Sequence, residues 1–186
     1  MDKQKDKKKL LMTSFIIFIM FGSVLGYALI YVDNNDKTQT INYNNYDFVK
    51  NGDFWITYIN DQPFLFEYLP KEVENIDFNA FAINKDKVYI AYNPLDLKQI
   101  NAISFNKISA VLTAFSIQPI KACIINKCEN LPLVNCDDKY PVIYFKNSSE
   151  TKIYTNKNCI ILEGNPNMAV DRLNFAFLGV IKWKIR

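Results

Sequence analysis

Histidine is absent from this chain of 186 residues. That removes Ser-His-Asp and Cys-His machinery and every metal site built on imidazole. Arginine is nearly absent, with only Arg172 and Arg186, so the planar forks that grip phosphate and guanine are scarce. Glycine is thin as well: outside residues 10–32 only Gly52, Gly164 and Gly179 occur. No Gly-rich turn leads into a helix, which excludes nucleotide binding through a P-loop or a dinucleotide fold. The chain also lacks a basic body. Its net charge of +3 is already present in residues 1–9, which hold five Lys and two Asp, leaving 17 basic and 17 acidic side chains in 10–186. A nucleic-acid partner needs Lys and Arg gathered on one face, and none is expected here.

Charge is missing altogether from residues 10–32 (LLMTSFIIFIMFGSVLGYALIYV). As a helix rising 1.5 Å per residue this stretch reaches about 34 Å, enough to cross a hydrocarbon core of about 30 Å with some tilt. The Lys-rich stub 1–9 then stays in the cytoplasm by the positive-inside rule, and the C-terminal body lies outside. A cleaved signal peptide shares this charge pattern, but its apolar region is shorter, about 7–15 residues, and Val24-Leu25-Gly26 makes a mediocre cleavage site. A retained single-pass anchor in the lipid bilayer is the expectation. Gly22 and Gly26 have the small-xxx-small spacing of a helix-pairing face, which allows a homodimer, although glycine is common in membrane helices for other reasons.

Residues 33–45 are polar and Asn-rich and read as a tether; residues 46–186 read as one extracytoplasmic domain with a single core. The fold expected is α+β: a mixed sheet with two main helices covering a face. Asp47–Lys50 and Phe54–Ile59 form a hairpin about Asn51-Gly52, read as a type I′ turn. Phe64–Leu69 adds a third strand after the turn at 60–63. Val88–Tyr92 is a short buried strand. A helix follows Asn93-Pro94 and runs to about Ile117, its apolar stripe containing Leu97, Ile100, Phe105, Ile108, Val111, Leu112 and Phe115. Ile120–Ile125 then pairs parallel to Val88–Tyr92 in a β-α-β unit. Val142–Phe145, Lys152–Thr155 and Cys159–Glu163 are further strands. Asn165-Pro166 starts the last helix, with Pro at the first helical position; Ala169 or Val170, Leu173, Ala176, Phe177 and Val180 line one face.

Cys123, Cys128, Cys136 and Cys159 carry the clearest chemical signal. Outside the cytoplasm thiols oxidise, so two structural disulfides are expected. Of three possible connectivities we favour Cys123–Cys128, which closes a tight loop, and Cys136–Cys159, which ties the 126–141 loop to a strand. A four-thiolate zinc site is disfavoured by the wide gaps between the cysteines. A redox-active pair is disfavoured because Cys123 and Cys128 are not a Cys-x-x-Cys at a helix start.

Other candidates are weaker. Glu163 and Asp171 bracket the turn into the last helix and form a possible acid–base pair; helix capping or pairing with nearby lysines and Arg172 is the commoner role of such residues. Asp137 and Asp138 lack a cation-binding loop. Asn147-Ser148-Ser149 is an N-glycosylation acceptor on a turn between strands. No metal or cofactor is implied.

Several segments together resemble a known group. They are Pro70-x-Glu72-Val73-Glu74-x-Ile76, then Val88-Tyr89-Ile90 and Pro94, and the four cysteines with Pro132 among them. Pro141-Val142-Ile143-Tyr144, Asn158-Cys159-Ile160-x-Leu162-x-Gly164, Val170-Asp171-Arg172-Leu173 and Leu178-Gly179-Val180 complete the set. Over roughly residues 54–181 the chain resembles a group of single-pass membrane proteins of small-genome, Woesearchaeota-like archaea to which no activity is assigned. The resemblance implies the same anchor, disulfides and outer domain, and transfers no catalytic residue. The function expected is a membrane-anchored interaction or scaffold module of the cell envelope, with another envelope protein or a glycan as partner. The alternative is an extracytoplasmic hydrolase acting on glycans through Glu163 and Asp171.

Overall fold

The computed structural model describes residues 39–95 and 102–182. The basic stub, the apolar stretch 10–32 with Gly22 and Gly26, and Leu97 and Ile100 lie outside the described residues. Among the described residues no helix is long and apolar enough to cross a membrane.

Two sheets form. The first is an antiparallel meander of β1 (Thr40–Tyr43), β2 (Tyr46–Asn51), β3 (Phe54–Ile59) and β4 (Gln62–Phe66), paired in that order. Its turns use the asparagines. Asn44 and Asn45 take φ of 49° and 68°, and Asn60 and Asp61 take 51° and 61°, so two consecutive left-handed residues make a type I′ turn on each side. The turn expected at Asn51-Gly52 is shifted by one residue. Asn51 ends β2 opposite Phe54, and Gly52 (φ 58°) takes the first turn position alone, the pattern of a type II′ turn. β1 lies within the stretch read as a tether: Ile41 and Tyr43 turn inward while Thr40 and Asn42 are exposed. A four-residue edge strand with half its side chains polar looks like linker by composition.

The second sheet has β5 (Lys87–Tyr92), β6 (Gln118–Cys123), β7 (Val142–Lys146), β8 (Lys152–Asn156) and β9 (Cys159–Glu163) in the order β6-β5-β7-β9-β8. All neighbours are parallel except β8, which runs antiparallel to β9. β5 and β6 pair in parallel around the intervening helix, as the sequence suggests. Among the described residues three helices join them: the single turn α1 (Pro70–Val73), α2 (Ala102–Ala114) and α3 (Pro166–Phe177).

The fold is α+β, but with two sheets rather than one, and with helices between them rather than on an outer face. Ile108 and Leu112 of α2 and Ala169, Val170 and Leu173 of α3 pack on the second sheet. Val111 of α2 and Phe175 of α3 pack on the meander against Phe48, Trp55, Phe64 and Phe66. α3 is therefore buried continuously from Ala169 to Ala176. Phe175 stacks on Phe66 with ring centroids 4.1 Å apart and meets the edge of Phe48 at 5.8 Å. Truncating such a ring to alanine costs about 3–5 kcal/mol. The far face of the second sheet is covered by the cysteine loop, where Val134 packs on Ala91, Ala122, Val142 and Ile161.

The disulfides are Cys123–Cys128 and Cys136–Cys159, and no described cysteine is free. The first closes the exit from β6. The second fastens the loop to the start of β9, where Asn158 N–H also donates to Cys136 O at 3.1 Å.

Candidate functional site

Both long helices carry charge into the interior. Asn165 caps α3, its side-chain oxygen accepting from the N–H groups of Asn167 and Met168, as an N-cap does. That fixes the helix so that Asp171 is wholly buried. Asp171 Oδ2 accepts from the N–H groups of Glu67 (2.8 Å) and Tyr68 (3.0 Å) just beyond β4. Asp171 Oδ1 faces Lys107 Nζ of α2 in a 2.5 Å ion pair. Lys107 also lies 3.4 Å from Glu67 Oε1. Asn167 Nδ2 donates to Glu67 Oε2 at 2.7 Å, and the Ser104 hydroxyl donates to Asn167 Oδ1. Burial pushes the Asp171 carboxyl up to about 6, although Lys107 and the two backbone N–H groups pull it down.

The turn Ser104-x-x-Lys107 puts a hydroxyl and an amine one helical turn apart, a spacing that serves nucleophilic catalysis in some enzymes. Here Ser104 is fully buried, and the Lys107 ammonium is held between two carboxylates. A general base needs a free lone pair and access to substrate, so this network ties the meander to the two helices.

Glu163 ends β9 and sits in a second network. Its Oε1 accepts from Lys146 Nζ (2.6 Å) and Tyr154 Oη (2.7 Å), and its Oε2 lies 3.3 Å from Lys152 Nζ. Burial alone would raise its carboxyl, yet these hydrogen bonds outweigh burial and bring it down to about 2. Glu163 and Asp171 thus occupy separate networks, each with its own lysines. The next residue, Gly164, takes φ 83°. A Cβ there would lie 2.5 Å from the Glu150 carbonyl oxygen.

Arg172 follows Asp171 but points elsewhere. Its guanidinium stacks over the Phe78 ring at 4.3 Å, and its Nε and Nη1 have no hydrogen-bond partner among the described residues. Burial lowers its pKa, opposed by Tyr43 and Glu74.

The remaining sequence candidates lie on the surface. Asn147 is exposed between β7 and β8. Asp137 pairs with Lys157 at 2.6 Å, and Asp138 accepts from the Asn135 N–H at 2.8 Å. Among the described residues no group of three or more Cys, Asp or Glu is placed to hold a metal ion.

One cavity stands out that the sequence reading did not find. It has a volume of about 420 Å³ and lies beside the starts of β5 and β6. Ile83, Leu112, Phe115, Ile117 and Phe177 form its apolar wall. The end of α2 shapes it. Ser116 takes φ 60°, the Ile117 N–H donates to Leu112 O at 2.9 Å, and the Ser116 N–H donates to Thr113 O at 2.9 Å. That is a Schellman cap with serine where glycine is usual. It folds Ile117 back against Leu112, and it leaves Phe115 half-exposed at the rim. The only sequence hint was Phe115 at the end of the stripe, next to the stop at Gln118-Pro119.

Comparison with family models, curated proteins and solved structures finds no match to this chain.

Proposed function

We propose that the chain is a single-pass membrane protein of the cell envelope, N-terminus inside, whose disulfide-stapled outer domain is an interaction module rather than an enzyme. The observation that carries this reading is the apolar cavity of about 420 Å³, which falls within the size range of small-ligand sites. The deep charged groups support it from the other side. Asp171 and Lys107 neutralise one another, and Glu163 is held by Lys146, Lys152 and Tyr154. Two disulfides suit an oxidising compartment, and the uncharged stretch 10–32 behind a Lys-rich stub suits an anchor with that orientation. The partner is an envelope protein or glycan, and pairing through Gly22 and Gly26 would present two outer domains together. The same layout belongs to the archaeal membrane group that the chain resembles.

A photo-crosslinking side chain placed at Phe115 in intact cells tests the reading. Adducts at 115 that are absent when the crosslinker stands at Asn147 are expected. Equal labelling at both positions, or protease attack on the domain from the cytoplasmic side only, overturns it.

A further inference from the structure

The wall of the cavity is apolar, but its rim is not. Asn84, Lys85 and Ser116 lie at the mouth, and none of the residues lining the cavity is acidic. Lys85 is exposed and forms no ion pair among the described residues. An ammonium, a carboxamide and a hydroxyl therefore offer hydrogen-bond donors around an apolar hole, with no carboxylate among the lining groups to compete for them. Of the carbonyls at the end of α2, Leu112 O and Thr113 O accept from Ile117 and Ser116.

We infer that this cavity binds a free amphipathic monocarboxylate, its aliphatic tail against Leu112, Ile117 and Phe177 and its carboxylate at Lys85. A cationic ligand would be repelled by the Lys85 ammonium, whereas an anionic one is attracted to it. The cavity's volume of about 420 Å³ falls within the size range of small-ligand sites. The inference rests on the reading of the domain as a binding module and names the ligand class of the same cavity.

The test uses the full chain in lipid nanodiscs and saturation-transfer NMR with octanoate, against empty nanodiscs. Octanoate should receive saturation from the protein, and octylamine should not. Lys85→Ala should weaken octanoate binding at least tenfold and Lys85→Arg should restore most of it. Ala82→Trp, a substitution at an exposed position on the mouth, should abolish binding with the fold retained. Octanoate binding no stronger than to empty discs, equal binding of octylamine, or binding of a short peptide ending in Phe in place of octanoate would overturn the inference. A negative octanoate result beside specific crosslinking at Phe115 rejects the ligand class alone, whereas loss of both rejects the binding-module reading.

Discussion

Lys107 Nζ and Asp171 Oδ1 lie 2.5 Å apart with side chains 5% and 0% exposed, and they join α2 to α3 between the two sheets. A buried pair of this kind adds little net stability over a well-packed apolar pair, but breaking it leaves a stranded charge. Lys107→Met should therefore destabilise by about 3–5 kcal/mol, measured by urea unfolding. Lys107→Met combined with Asp171→Asn should recover part of the loss, because no uncompensated ion then remains in that pair. If the double variant is worse than the sum of the singles, the pair is not the source of the effect.

The two buried carboxylates give opposite pH dependences. Asp171 is raised from 3.8 to about 6, so its favourable contribution is complete below about 3.8 and is lost as pH rises through about 6. Glu163 is lowered from 4.5 to about 2; its contribution is complete above about 4.5 and is lost as pH falls through about 2. On these two groups stability climbs from pH 2, crests between 3.8 and 4.5, and falls to a plateau above 6. Thermal melts of Asp171→Asn should lack the fall between 4.5 and 6, and those of Glu163→Gln should lack the acid rise.

Much of the domain was legible because its signals are local. The disulfide pairing favoured among three, on the tight spacing at 123–128 and a loop that returns to a strand at 159, is the one that forms. The second sheet's strands follow from short apolar runs, and α3 from Asn165-Pro166. The two-sheet arrangement was hidden because α3 was read as having one apolar face, whereas Phe175 and Leu173 serve opposite sheets. A signal was available in the charges. Lys107 lies one turn before Val111 at the edge of the α2 stripe, and Asp171 lies one turn before Phe175 on the side of α3 away from Leu173. A charge in line with an apolar position of a helix calls for a partner. The cavity was not legible, since it depends on how the end of α2 meets the 82–85 segment and Phe177.

Two backbone positions with positive φ should respond in opposite ways. Ser116 adopts φ 60° without being glycine, and a left-handed residue with a Cβ costs about 1–2 kcal/mol. Ser116→Gly should stabilise by up to about 1 kcal/mol once the added freedom of the unfolded chain is counted. Gly164 is the reverse case, since its Cβ would lie 2.5 Å from Glu150 O and 2.7 Å from Thr151 Cα. Both are backbone atoms that cannot swing aside, so Gly164→Ala should lower the melting temperature sharply.

The two disulfides should differ in what they contribute. Chain-entropy arguments scale stabilisation with the logarithm of the loop closed. Cys136–Cys159 spans a sequence separation of 23 and Cys123–Cys128 one of 5. Replacing both members of a pair by serine should cost about 3 kcal/mol for the longer loop and about 2 kcal/mol for the shorter. Packing widens the gap: Cys159 is fully buried in the cluster formed by Ala91, Val142 and Ile161, where a serine hydroxyl would need a partner. Urea unfolding of the two double-serine variants, run beside the oxidised wild type, measures both losses. A larger loss at 123–128 would show that the short bridge holds the cysteine loop onto the second sheet and that loop entropy is not the governing term.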